Sequence, residues 1–487
     1  MKVVFLNPPA IKGRAPDRNF GCNYGVTFQQ PIHILYPAAV LEKEGYEVEF
    51  IDCPVEGKND KWCENYIKTN DISAVIFFTV YLAEKTDIYW AKQIREFKKD
   101  VNIIFMGPEP SLNPSKFIFD DKVFVVRGEP EYTILELFRT LKTNKSFKDV
   151  LSLSWMNKGD VTDNPPRPFI DNLDEIPFPA RHLIKTPRKY FNPKLRGRPT
   201  TTMFTSRQCW GRCIYCIPAA YNFTREIEWK KHFNKKPPVR LRSPENIYEE
   251  FKLLKEHGYN SVAIMDDNFM GLKTSKDKER ITKICQLIQH LKMEWGCLAR
   301  ADQLQDEEVL KWMKKAGCVY VDIGVESFNQ KVLDYVQKDT SVGEQFNAIL
   351  LLKKVGIEPK INILLGASPL QTEEDIKWTV EILKMFNIEF VSFGVVIPHP
   401  GIEFYKTVKE EGWFSTSSKD FEPVDPYADA TVDFPNMSHE RLEKLVKWAY
   451  RAHYLRLSYI LKRLTKIRSF NELIENIKSV WNLFIRK

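Results

Sequence analysis

Apolar residues along this chain follow two alternating rhythms. Between residues 1 and 145, short continuous apolar runs occur at VVFLN (3–7), VEFID (48–52), AVIFFT (74–79), NIIFMG (102–107) and VFVVRG (123–128). Between them, YPAAVLEKEG, KTDIYWAKQIREFKK and PEYTILELFRTL bring apolar residues back at helical spacing. A run that is apolar throughout has no face to give to water, so it predicts a strand covered on both sides. Alternating with helices, such strands predict a parallel, doubly wound sheet. Ligands of such sheets bind beyond the carboxyl ends of the strands. There the chain offers Asn7, Thr79, Gly107, Glu109, Arg127, Gly128 and Glu129, small or polar groups suited to a bound ligand.

A connector over 146–194 follows, with the proline-rich NPPRPFIDNLDEIPFPARHL (164–183) predicting an extended strap. From 195 to 430 strand and helix alternate six times, the strands being TTMFTS (201–206), SVAIMDD (261–267), WGCLARAD (295–302), YVDIGVES (320–327), KINILLGA (360–367) and FVSFGVVIP (390–398). Several helices end in glycine (KEHGYN, KKAGCV, KKVGIE), where a left-handed cap needs no side chain. Six such units predict an open, partial (β/α)6 barrel with its active face at the carboxyl ends of the strands. The expected fold class is therefore α/β: a Rossmann-like, flavodoxin-like sheet, a partial barrel, and a helical tail over 431–487. In the tail, Ser438 can cap a helix whose apolar side holds Leu442, Leu445, Ala449, Ile460, Leu464 and Ile467, and a shorter helix runs through Leu473, Ile477, Val480, Trp481 and Phe484.

Charge singles out that tail. The chain carries +8, and Glu440–Lys487 alone holds 12 Lys and Arg against 4 Glu, so the remainder is neutral. The tail reads as a docked element with a solvated charged face, or as a surface for anionic lipid; nucleic-acid binding is the least supported reading. A composition of 43% hydrophobic and 28% charged residues excludes extensive disorder. The opening MKVVFLNPPA lacks a signal peptide's pattern and no stretch is apolar enough to span a bilayer, so a cytoplasmic location is expected.

Nine cysteines, an odd number in a large chain, predict reduced thiols. Cys22, Cys53, Cys63, Cys285, Cys297 and Cys318 show no close pairing and read mostly as small hydrophobes, though the first three admit a second cluster. Cys209, Cys213 and Cys216 stand together in SRQCWGRCIYCI, after the first barrel strand. Grouped thiolates bind zinc or iron-sulfur clusters. Three of them allow structural zinc with a distant fourth ligand; placement at a barrel mouth argues instead for a site left open for chemistry.

CWGRCIYC resembles the CxxxCxxC signature of radical S-adenosylmethionine (SAM) enzymes, with the aromatic Tyr215 before the last cysteine. The resemblance implies that the three cysteines hold three irons of a 4Fe-4S cluster. The amino and carboxylate groups of SAM bind the fourth iron, and reduction releases a 5′-deoxyadenosyl radical. MDDNF (265–269) resembles the acidic motif near the methionyl amine, implicating Asp266 and Asp267. ARAD (299–302) resembles the motif whose arginine, here Arg300, meets the methionyl carboxylate. GVES (324–327) implicates Glu326 toward cofactor or ribose, and PHPGIEFY (398–405) resembles the proline-glycine turn after the sixth strand. Each charged residue alone could be an ordinary ion pair; their order along the chain carries the resemblance.

FFTVYLAEKTDIYWAKQIRE, FMGPEPS, VVRGEPEYTILEL and the proline-rich connector resemble the cobalamin-binding half of the radical enzymes that include anaerobic Mg-protoporphyrin oxidative cyclase and the hopanoid methylases. The resemblance assigns Asn7, Thr79, Gly107, Glu109, Arg127, Gly128 and Glu129 to cobalamin. It departs at MGPEPS, where relatives often have His and this chain has Glu109, and no Asp-x-His-x-x-Gly motif offers a lower cobalt ligand. The implied activity is methylation of an unactivated carbon, on a lipid or membrane-soluble precursor, with a reducing partner such as flavodoxin or ferredoxin in an anaerobic setting. Rival expectations are oxidative cyclisation without methyl transfer, RNA methylthiotransfer, and a non-catalytic iron-sulfur sensor. No general base is evident, and hydrogen abstraction requires none.

Overall fold

All five apolar runs of the amino-terminal segment are strands: β1 (Lys2–Asn7), β2 (Glu47–Asp52), β3 (Ala74–Phe78), β4 (Asn102–Met106) and β5 (Val123–Val126). The structure, a computed structural model, describes residues 1–11, 15–16, 18–19, 28–143, 145–216, 234, 237–415 and 429–465. It divides into two units, Met1–Trp210 with Pro218–Trp295, and Gly211–Ile217 with Gly296–Lys487.

In the first unit a seven-stranded sheet has the order β2-β1-β3-β4-β5-β6-β7, and β1 to β5 pair in parallel. The order reverses between β1 and β3, the flavodoxin-like arrangement whose switch point opens a ligand crevice. β3 and β5 are buried at every residue because helices cover both faces, with Phe5, Phe78 and Phe124 in one core and Phe77, Trp90 and Phe105 in the other. The last two strands, β6 (Leu153–Asn157) and β7 (Asp160–Asp163), fall in the stretch expected to be connector. They form an antiparallel hairpin around Lys158 (φ 52°) and Gly159 (φ 94°), and this two-residue turn needs left-handed residues. The hairpin pairs the edge of β5, which would otherwise present bare amides and carbonyls. The proline-rich stretch then forms the expected strap: Arg181 ties it to Thr201 Oγ1 at 2.8 Å, to Thr202 O at 2.6 Å and to Glu250 at 2.6 Å.

The same unit holds β8 (Thr200–Met203), the short antiparallel pair β9 (Ser206–Arg207) and β10 (Arg240–Leu241), and β11 (Ser261–Ile264), parallel to β8. Strand β12 (Glu294–Ala299) begins in the first unit and ends in the second. In the second unit β13 (Cys318–Glu326), β14 (Glu358–Leu365) and β15 (Phe390–Val395) pair in parallel, alternating with helices Val342–Val355 and Glu373–Met385. Both helices begin with reciprocal capping boxes, Ser341 with Glu344 and Thr372 with Asp375. All six strands read from the 195–430 segment are present.

In the tail, helix His439–Tyr454 is capped by Ser438 and buries Leu442, Leu445, Val446, Ala449 and His453. It covers the outer edge of β15: Tyr454 Oη accepts from Val391 N at 2.8 Å and donates to Val391 O at 2.7 Å, and Tyr450 Oη accepts from Phe393 N at 3.1 Å. The chain then leaves helical geometry at Arg456 (ψ 136°) before helix Leu457–Leu464. That break turns the stripe, so Ile460 and Leu464, expected on the buried side, are exposed. Ile467 and the expected helix from Leu473 to Phe484 lie outside the described residues. Among the described residues no helix is long and apolar enough to cross a membrane.

Candidate functional site

In the second unit the segment around Cys213 is fastened by main-chain bonds. Ile214 N donates to Val336 O at 3.1 Å, Phe404 N donates to Ile214 O at 3.0 Å, and Cys216 N closes a turn on Cys213 O at 3.2 Å. Arg300, just past β12, is buried; its Nε donates to Asp302 at 2.9 Å and its Nη2 to the carbonyls of Lys338 and Asp339. Its Nη1 lies 3.9 Å from Cys213 Sγ.

Glu326 ends β13 in a left-handed conformation (φ 65°) where the register with β14 shifts. A non-glycine residue held there costs on the order of 1–2 kcal/mol, a strain typical of functional positions. Its carboxylate lies 3.1 Å from Lys338 Nζ, which is 3.3 Å from the Tyr215 hydroxyl. A Cβ on Gly324 would stand 2.5 Å from Glu326 Oε1 and 2.9 Å from Lys338 Nζ, so the glycine of GVES lets this pair close. Burial works against the charge on Lys338, but the Glu326 carboxylate and Cys213 outweigh it and hold the ammonium above its ordinary pKa. Burial, then Glu326, pushes the Tyr215 hydroxyl well up. Lys338 is absent from the sequence-derived site because a lysine in the polar stretch QKDTS breaks no pattern.

The expected acidic pair lies in the first unit. Asp266 is fully buried and accepts from Thr205 N at 2.6 Å and from the Thr205 hydroxyl. Burial pushes its carboxyl up despite those bonds. Asp266 thus fastens the chain leaving β8, while its neighbour Asp267 is only half-buried. Cys209 is half-buried, and Gln208 before it is left-handed (φ 80°).

The donor chemistry fits an iron-sulfur cluster: soft sulfur ligands, with the Arg300 guanidinium 3.9 Å from Cys213 Sγ. Among the described residues no three His, Cys, Asp or Glu side chains stand together as a ready-made metal cage. For the second cluster considered from sequence, Cys53 and Cys63 are buried. A hydrogen bond from Cys63, then burial, pushes the Cys53 thiol up; Cys22 lies outside the described residues.

At the carboxyl ends of the flavodoxin-like sheet, Asn7 and Asp52 are in register on β1 and β2. They line a small cleft, partly open to solvent, together with Arg18, Phe28, Gln29 and Pro54. Asn7 Oδ1 and Gln29 Oε1 are buried there without a hydrogen-bond partner. Burial raises Asp52 to about 6 although Tyr190 Oη donates to it at 2.7 Å. Thr79 Oγ1 donates to Asp87 at 2.8 Å, and Asp87 is clamped by Arg18 at 2.6 and 2.8 Å. Gly107 (φ 111°) packs so closely that a Cβ would stand 2.7 Å from Thr79 O, and Gly128 (φ 71°) is also left-handed. Glu109 is buried at the start of helix Pro108–Leu112. Arg127 is fully buried and donates to Asn164 O. Glu129 accepts from Arg207, Arg240 and Ile170 N at 2.8–3.0 Å, so these last two residues fasten the hairpin and strap. The orphaned acceptors fit a ligand rich in amide donors, as cobalamin is; of the seven residues the resemblance assigns to it, Asn7 is the one in the cleft lining.

Residues 203–383 match the radical SAM superfamily, so this part of the chain is similar to a radical SAM domain. Among curated relatives, it is 27% identical over 477 residues to an uncharacterized methyltransferase of Pyrococcus horikoshii, covering 96% of each chain. It is 27% identical over 387 residues to the hopanoid C-3 methylase of Methylococcus capsulatus, covering 78% of this chain and 68% of that one. Its fold is similar to that of the cobalamin-dependent radical SAM enzyme OxsB (TM-score 0.71, 17% identity, 99% of this chain and 70% of that one). It is likewise similar to the radical SAM methyltransferase TsrM from Kitasatospora setae (TM-score 0.67, 15% identity, 93% and 88%).

Proposed function

We propose that this protein is a cobalamin-dependent radical SAM methyltransferase acting on an unactivated carbon. The observation that carries the reading is the cysteine segment backed by Arg300 and Lys338, with the strained Glu326 at the carboxyl end of a parallel strand. The methyltransferase relatives and the cobalamin-dependent fold neighbour support the methyl-transfer part. When bound, the cluster, SAM and cobalamin supply the radical and the methyl group.

The chain's own work is placement. Cys209, Cys213 and Cys216 hold the cluster. Lys338 has donor capacity beyond Glu326 and Tyr215 and is suited to a carboxylate, while half-buried Asp267 is suited to an amine. Tyr215 and Glu326 position Lys338, while Arg300 holds the Lys338–Asp339 main chain through its carbonyl contacts and reaches Cys213 Sγ with its other terminal nitrogen. Asn7, Thr79, Gly107, Glu109 and Gly128 take the corrin side, where Asn7 Oδ1 awaits an N–H donor. A small-molecule or lipid precursor is the substrate, and flavodoxin or ferredoxin the electron donor.

Anaerobic reconstitution with iron and sulfide, followed by SAM and a reductant, tests this. Wild type yields 5′-deoxyadenosine slowly, Cys213→Ala yields none, and added hydroxocobalamin remains bound through gel filtration with its visible spectrum. S-adenosylhomocysteine accumulates beside deoxyadenosine in productive turnover. No deoxyadenosine from a cluster-loaded sample overturns the enzyme reading; absence of retained cobalamin overturns the cobalamin reading alone.

A further inference from the structure

The second unit presents an apolar surface that the site does not use. Helix Leu457–Leu464 turns outward Leu457 (70% exposed), Leu461 (55%) and Leu464 (52%), with Ile460 beside them. On helix Glu373–Met385, Trp378 (59%) and Met385 (78%) are also exposed and share a face with Glu381, whose charge acts on Arg456 just before the Leu457 helix. At the Leu457 end Arg456, Lys462, Arg463, Lys353 and Lys384 outnumber Glu358, Glu381 and Glu389, whereas Trp378 has Glu374 and Asp375 one turn before it on its own helix. Exposed leucines, a tryptophan and a methionine among a surplus of cations suit an anionic bilayer, which takes apolar side chains and positive charge together. A nucleic acid would leave the leucines in water.

Its position gives the surface an orientation. His453 Nε2 meets Ile388 O at 3.1 Å, and Arg463 meets Glu389 at 3.0 Å and lies over the Phe390 ring. These partners stand at the amino end of β15. Glu326 and Lys338 stand at the opposite end of the parallel sheet, past the carboxyl end of β13. Strands of six and nine residues at about 3.3 Å per residue separate the two ends by roughly 20–30 Å.

We propose that this face, Trp378 and Met385 with Leu457–Leu464, docks on an anionic membrane surface and holds the Cys213 segment and Lys338 away from the bilayer. The tail then anchors the enzyme without feeding it, and the reacting carbon arrives from the water side. This deepens the membrane expectation and separates it from a lipid substrate; it does not rest on the cobalamin reading.

The full chain is spun with phosphatidylglycerol-containing vesicles and with phosphatidylcholine vesicles, and its hydrogen exchange is mapped in each. Sedimentation with the anionic vesicles only is expected, weakened by salt, with new protection at 378–385 and 457–464 and none at 213–216 or 330–338. Leu461→Asp and Trp378→Asp, at exposed positions where unfolding temperature is unaffected, each lower partitioning about tenfold or more. Unchanged partitioning in both variants overturns the surface, and protection at 213–216 overturns the orientation. Protection of 457–464 without lipid assigns the face to residues 466–487 of the same chain. Self-association abolished by Leu461→Asp, without vesicle binding, assigns it to a second copy.

Discussion

Asp52 shows how a single residue departs from its ordinary chemistry. Burial raises its carboxyl from the usual 3.8 to about 6, so the folded state binds its proton more tightly than the unfolded chain does. Stability is therefore lost as pH rises from about 4 to about 6, and the cost persists above that range. Asp52→Asn keeps an acceptor for Tyr190 and removes the charge; it is expected to be more stable than wild type at pH 8 by up to ~3 kcal/mol, with the gap closing toward pH 4. Denaturant unfolding at both pH values checks this. At this scale the motif residues were legible as positions, and Arg300, Tyr215 and Glu326 do meet around Cys213. Lys338 was not legible, because only the fold of β13 brings it back to Glu326. Nor could the motif show that Asp266 is committed to Thr205.

At the scale of elements, periodicity located the five parallel strands of the flavodoxin-like sheet and the six read in the barrel segment, because each is a continuous or alternating apolar run between helices. It missed β6 and β7, since the half-buried edge hairpin carries a weak pattern and its signal is the Lys158-Gly159 turn. It also carried the tail stripe past Arg456, where one extended residue reorients everything after it. The docking of helix His439–Tyr454 is a matter of edge protection. Tyr454→Phe leaves the main-chain groups of Val391 without their partner and is expected to cost about 1–2 kcal/mol by denaturant unfolding, with faster aggregation through the opened β15 edge.

For the whole molecule, the compact units follow contacts in space, which the sequence does not display. Sequence boundaries follow changes of rhythm, whereas the structural division runs through β12 and leaves Gly211–Ile217 with the second unit. One expectation concerns total metal. Reconstituted protein should hold about four irons per chain, and Cys213→Ala should lose them by colorimetric iron assay; about eight would restore the second cluster at Cys22, Cys53 and Cys63 and favour methylthiotransfer.

The anchoring of the cysteine segment through Ile214 has a further meaning for protein engineering. Its partners, Val336 O and Phe404 N, are backbone groups, so these two hydrogen bonds survive any residue but proline at 214 and 404, while the buried side chains of Ile214, Val336 and Phe404 add packing. Because Ile214 is buried, a conservative Ile214→Val keeps both the fastening and most of the packing, whereas a large change of volume there disturbs the core. The substitution that this arrangement forbids is proline at 214 or 404, which would delete a donor outright.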